Sequence, residues 1–460
     1  MNTPAGQSPA LALLAYLQSR TIAAISAKAV ADARWCVLDS LGCGLFGAQQ
    51  TWSRLIAEEM LAEGSRGEAS LFGRGQTLAA PGAALCNGTA IHGFELDDLL
   101  DEAIVHPGAV IVPAALAAAE AVDAPGARLV LGVIAGYEVM NRVGLAVGLE
   151  PARRGYHKTA VVGPVAAAVA AGVVMNLTLD HLVAAVGLAC STASGTKSFA
   201  AGSGGGMMKR MHAGRAAESG VRMAQLAARG FTAPPTALDG RFGLLEVFGG
   251  ATARPELLAN DLGDKWAVEE VFVKVFPCCS WIQASVQQLM GLRGAAPVAP
   301  GDVASVRIGV SAYAIRSNGE VAPPDTMGAQ YSIPYCAALA LTGDPRDPAN
   351  YREAAIDDPA RRELARRVEL VVDPEMEAAY PKHYGARVEL KLAGGERRES
   401  VVLDPHGMPG DPVNESERIA KFARLAGTCK PAATVEKITA LVRSAETVAS
   451  VREITALLRD

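Results

Sequence analysis

The sequence predicts a mainly α protein with an inserted α+β domain, that is, a large all-helical domain plus a smaller α+β domain. Half of its 460 residues are apolar while only 5% are aromatic. Such a core is built of Ala, Val and Leu, whose small side chains let helix backbones approach closely. From residue 9 to about 265 the periodicity is helical nearly throughout, punctuated by Gly, Pro and Asn. Alternating apolar and polar residues, the mark of half-buried strands, follow only after Trp266.

In the first part, residues 160–175 form the longest apolar stretch, which is too short for a confident membrane span and carries Gly163, Pro164 and Gly172, so it reads as a buried core helix. Residues 280–292 are amphipathic, with Ile282, Val286, Leu289 and Met290 on one face, and Ser280 stands as the expected N-cap. Strands are expected at 306–310, 368–372, 388–392 and 400–403, with an apolar helix at 333–341. Helical character returns at 415–425 and 433–458. A terminal stretch this short packs back on the first domain. The domains are therefore drawn as 1–265, 266–405 and 406–460.

Lys plus Arg number 43 against 48 Asp plus Glu, a net charge of −5. That balance gives no basic footprint for nucleic acid. Eight cysteines without a CxxC pair, and no signal-peptide pattern at the N-terminus, point to a cytoplasmic protein with reduced thiols and no membrane partner. Residues 42–47 spell GxGxxG. They follow a helical pattern instead of a strand, so close helix packing explains them better than a dinucleotide.

Four segments could carry chemistry. Residues 87–98, followed by His106, form the densest polar cluster of the apolar half. Glu95 and Asp98, at i,i+3, would share a helical face and raise at least one carboxyl pKa, as a general acid or base requires; the alternatives are a solvated acidic loop or, least favoured, a carboxylate metal site. His157 precedes the helix at 160, where the dipole opposes protonation and keeps an imidazole neutral; otherwise it caps or packs. Residues 198–215 combine Gly202, Gly204, Gly205 and Gly206 in a flexible loop with Lys209, Arg210, His212 and Arg215, an anion site or else a solvated basic face. Lys274 to Cys279 marks the domain junction, where the vicinal thiols pack, act as a thiol acid or form a pocket wall.

These blocks, together with 38–42, 136–142, 155–163, 209–216, 274–279, 329–335 and 404–425, resemble in their order the MmgE/PrpD family, whose members include 2-methylcitrate dehydratase, cis-aconitate decarboxylase and iminodisuccinate epimerase. The resemblance implies a helical domain built from both chain ends, an inserted α+β lid domain, a homodimer, and chemistry on small polycarboxylates between the domains without metal or cofactor. It places the family's acidic catalytic position on Glu95, its histidines on His106 and His157 and its lysine on Lys209. Asp98 joins these as a catalytic candidate, and Lys274, Cys279, Arg210 and Tyr335 are the expected substrate contacts. Glu95 stands where the decarboxylases have Asp, Leu99 where several members have Thr, and Cys279 where the decarboxylases have His. The last change argues against cis-aconitate decarboxylation as such. The reading is a cofactor-independent hydro-lyase on a citrate-like acid, with a dicarboxylate epimerase, a decarboxylase or a non-catalytic carboxylate binder as alternatives. Lys209, read as a cleft residue, should be replaceable without cost in melting temperature.

Overall fold

Helices dominate the computed structural model, which describes residues 8–200 and 206–459. Described residues up to Val271 and from Asn414 onward form one unit, and Phe272–Val413 forms another. The first is helical apart from a short hairpin, β1 (Ala69–Ser70) with β2 (Thr77–Leu78), that the helical periodicity does not foretell. The second contains a four-stranded sheet, so the chain is mainly α with a smaller α/β part.

The centre of the first unit is Lys158–Val174, buried at every position but Val173. It packs against Gly126–Val147 and Met207–Ala228. Gly126–Val147 is long and apolar enough to cross a membrane, yet 83% of its apolar window is buried within the fold, as suits a core helix. Met207–Ala228 also lies along Ala80–His92. Gly88 and Gly214 set that approach, because a Cβ on Gly88 would lie 2.8 Å from the Gly214 Cα, and one on Gly214 would lie 2.3 Å from the Leu85 carbonyl oxygen. This contact holds the C-terminal end of one helix, at His92, near the first two turns of the other, at Lys209 and His212.

The GxGxxG run lies wholly inside the Ala27–Gly47 helix, and a Cβ on Gly47 would strike the Ala90 carbonyl oxygen, so these glycines serve helix packing. Glu415–Ala426 packs on Ala27–Gly47, and Lys421 reaches Asp39 at 2.7 Å. Residues 433–458 do not form one helix. Ala432–Arg443 stops, a short turn follows, and Arg452–Thr455 resumes. The break lies at Ser444, whose backbone leaves the helical region at φ −128 and ψ 30.

In the second unit β3 (Val303–Val310) pairs in parallel with β4 (Val368–Val372) and antiparallel with β5 (Ala386–Leu392), which pairs with β6 (Arg397–Val402), giving the order β4-β3-β5-β6. Strand alternation was visible in Val306, Ile308, Val388 and Leu390, all buried. Ser280–Arg293 and Ile333–Thr342 pack together. Cys279, not Ser280, holds the N-cap position of the former, without a side-chain cap hydrogen bond.

Candidate active site

Ala80–His92 ends at its histidine, and the chain beyond it is irregular. Glu95 adopts a left-handed backbone, φ 57, which a β-carbon disfavours. The expected shared helical face of Glu95 and Asp98 is therefore absent: a left-handed residue interrupts the i,i+3 geometry. Both carboxylates are buried, at 2% and 1% exposure, which also sets aside the solvated-loop reading.

They go to different partners. Glu95 forms an ion pair with Lys209, itself 3% exposed, so the segment is no solvated basic face at this position. Asp98 Oδ1 accepts from the Gly108 N–H at 2.8 Å and Oδ2 from the Tyr137 hydroxyl at 2.6 Å. That fixes the first turn of Gly108–Ala121. Burial raises the Asp98 carboxyl to about 7, against the pull of those two donors.

Asp97, between them, carries the histidines. Its Oδ2 lies 2.6 Å from His92 Nδ1 and 3.2 Å from His106 Nδ1. His106 Nδ1 also lies 3.0 Å from the Asp98 carbonyl oxygen. Both rings thus have an Nδ1–H directed at oxygen and present Nε2 as the remaining nitrogen. Burial opposes ionisation of Asp97, but its two imidazole partners, His106 and His92, outweigh it and hold the carboxyl well below the usual range. Burial lowers His92 to about 4 despite the Asp97 charge, so His92 is neutral at pH 7.

His106 and His157 are brought together through Thr159. Its hydroxyl accepts from the His106 N–H at 3.1 Å, and Thr159 belongs to the first turn of the helix for which His157 is the N-cap. His157 makes no side-chain cap bond; its Nδ1 lies 3.1 Å from His212 Nδ1. Ring centroids are 4.8 Å apart for His92 and His106, 5.7 Å for His92 and His157, and 6.4 Å for His106 and His157. Four of the chain's seven histidines therefore share one cluster. Burial pushes His157 well below the ordinary imidazole value, with Lys209 and the neighbouring histidines adding to the shift. His212 falls to about 4 by burial and the proximity of His92 and Lys209.

Of the residues singled out in the sequence, Glu95, His106, His157 and Lys209 converge. Asp98 contributes its carbonyl and supports a helix. The Arg210 guanidinium stacks 3.9 Å from the Trp52 ring centre. Lys274, Cys279 and Tyr335 belong to the second unit and are buried there. Tyr335 is engaged within that unit: its hydroxyl donates to the Asn350 carbonyl and accepts from Arg361 at 3.2 Å. Gln283 brackets the turn before Cys279, donating to the Phe276 and Cys278 carbonyls at 2.8 and 3.0 Å. Gly202, Gly204 and Gly205 lie outside the described residues; Gly206 precedes Met207–Ala228. Reading the sequence assigned His92 and Asp97 no individual roles and placed His212 only in a possible anion site, since nothing in their spacing marks them as neighbours across three segments.

His92, Asp97 and His106 could offer three ligand atoms within 4.8 Å of one another to a metal ion. Their separations of 2.6 and 3.2 Å, with Nδ1 of His106 shared by a second oxygen, are those of hydrogen bonds. The donor set reads as an orienting carboxylate with two imidazoles. His92 Nε2 and Asp97 Oδ1 are buried without a protein hydrogen-bond partner, which makes them available to a bound acid or to water.

A mainly helical protein with a buried imidazole, carboxylate and lysine cluster is the class these features define. The MmgE/PrpD N-terminal domain matches residues 12–256, the MmgE/PrpD C-terminal domain matches 276–447, and the chain belongs to the MmgE/PrpD family. It is 28% identical to a cis-aconitate decarboxylase of Aspergillus terreus, over 89% of this chain and 87% of that one. It is 26% identical to a cis-aconitate decarboxylase of Homo sapiens, covering 89% and 85%. A 2-methylcitrate dehydratase of Salmonella typhimurium is 25% identical over 83% and 82%. These relatives are enzymes, which supports an enzymatic role and the citrate-like lyase or decarboxylase class.

Proposed function

We propose that this protein is a lyase that removes or delivers a proton beside a carboxylate of a small citrate-like acid, with dehydration as its reaction. The observation that carries the reading is the grouping of His106 and His157 with the Lys209–Glu95 pair. A neutral imidazole takes the α-proton at Nε2, the substrate carboxylate develops enediolate character, and the Lys209 ammonium offsets that charge in a buried setting where it counts most. Entry of a substrate carboxylate at Lys209 requires Glu95 to share or yield the ammonium. The second imidazole enters the cycle as the imidazolium and protonates the departing hydroxyl from Nε2, regaining that proton from solvent after product leaves. Asp97 fixes the His106 ring so that Nε2 is the reacting nitrogen. The relatives named as decarboxylases favour a second reading in which carbon dioxide leaves and the imidazole delivers a proton to carbon.

Incubating citrate-like hydroxy acids and cis-aconitate-like unsaturated acids in D₂O, followed by proton NMR, tests both. Dehydration yields a vinyl signal with loss of hydroxy acid; decarboxylation yields deuterated product and carbon dioxide. Deuterium entering an unchanged skeleton marks an epimerase, and no change with any acid overturns the lyase reading. His106→Asn and His157→Asn should each slow turnover by roughly 10²–10⁴-fold.

A further inference from the structure

We propose that His212 is a proton relay, connecting His157 to solvent through the cavity that His212 lines; this rests on the lyase reading above. The two Nδ1 atoms are 3.1 Å apart. At that distance one nitrogen donates and the other accepts, so a single proton is shared and the neutral rings carry opposite tautomers. His157 stands between the cluster and His212, stacked 5.7 Å from His92 on one side. His212 in turn stands between His157 and a cavity of about 390 Å³ lined by Thr192, Ser194, Thr196, Arg215 and Glu218. Among the cluster's imidazoles His212 is the one that lines it. Ser194 and Thr196 are exposed, so the cavity meets solvent.

The groups facing His212 are His157, His92, Lys209, Arg215 and Glu218. Arg215 and Arg222 both pair with Glu218, so the carboxylate that shares the cavity with His212 is already engaged by two guanidinium groups. A proton received by His212 passes on to water in the cavity. When the substrate C–H bond breaks, its electron pair stays on carbon as the enediolate and the proton binds His157 Nε2. The His157 Nδ1 proton crosses to His212 Nδ1, and the His212 Nε2 proton leaves to water in the cavity. Delivery of a proton to carbon runs the same path in reverse. Because His212 lies beyond His157, it is a positioning and relay residue without substrate contact.

The test is turnover of His212→Gln in weak buffer, with and without added imidazole. We expect kcat to fall roughly ten-fold or more, KM to stay unchanged, and imidazole to restore the rate. Unchanged kcat, or a folded variant that no buffer restores, overturns the relay. Should the variant fail to fold, Ser194→Trp, at an exposed position on the cavity rim, replaces it: kcat should fall with KM unchanged and without rescue by imidazole, and unchanged kcat overturns the relay. NMR of ¹⁵N-histidine-labelled wild-type protein decides independently of activity. It should show one ring protonated at Nδ1 and the other at Nε2, with solvent exchange of the shared proton slowed by Ser194→Trp. Two Nε2–H tautomers or unaltered exchange overturn the relay, whereas inertness towards every acid overturns only the lyase reading.

Discussion

Asp97 and Asp98 are neighbours in the chain whose carboxylates serve different structures: Asp97 Oδ2 holds His92 Nδ1 at 2.6 Å, while Asp98 Oδ2 accepts from Tyr137 at 2.6 Å. The irregular backbone here sends the two side chains to different partners, so one residue orients the imidazoles and the other anchors Gly108–Ala121.

This division predicts separable losses. Asp97→Asn should leave the helix start intact but lower kcat by roughly 10²–10⁴-fold, because an amide can present N–H where the histidines need an acceptor and so favours the wrong tautomer. Asp98→Asn should chiefly lower the melting temperature. Kinetics and thermal melts on both variants check this, and equal kinetic losses would contradict it.

Lys209 is buried against Glu95, which changes the expectation that its loss is thermally silent. Lys209→Ala strands a buried carboxylate and should cost about 3–5 kcal/mol of stability together with roughly 10²-fold or more in kcat/KM. Adding Glu95→Ala should recover part of the stability without recovering activity. Chemical denaturation beside steady-state kinetics reads the two effects apart; recovery of activity in the double variant would remove Lys209 from the chemistry.

Lys158 is 3% exposed with its Nζ on the Gly144 carbonyl oxygen at 2.9 Å, and burial lowers its pKa to about 7. An unfolded lysine titrates near ~10.4. Between those values the unfolded chain binds more protons, so wild-type stability should rise with pH across the interval and the buried charge should weigh most at pH 7 and below. Lys158→Met keeps the volume without the charge and should gain roughly 1–3 kcal/mol near neutrality, a gain that fades towards pH 10. Denaturation curves at several pH values check it; a pH-independent difference would show that the amine is not buried as a charge.

Turnover should survive exhaustive chelation, since Asp97 Oδ2 and the Nδ1 atoms of His92 and His106 are already held to one another by hydrogen bonds. Loss of activity restored by zinc, iron or magnesium would place an ion on those three residues instead.

The sequence by itself determined the helical class of the first part, the strands in the second, and the burial of 160–175, because periodicity and apolar content are local signals. It also marked Glu95, His106, His157 and Lys209. It misjudged how Glu95 and Asp98 relate, since spacing implies a shared face only if the helix continues, and the left-handed Glu95 follows its end. Tertiary structure alone decided that His92, Asp97 and His212 join the cluster. Their meeting depends on Gly88 against Gly214 and on Thr159 beneath His106, contacts between residues 126 and 53 positions apart that no local pattern encodes.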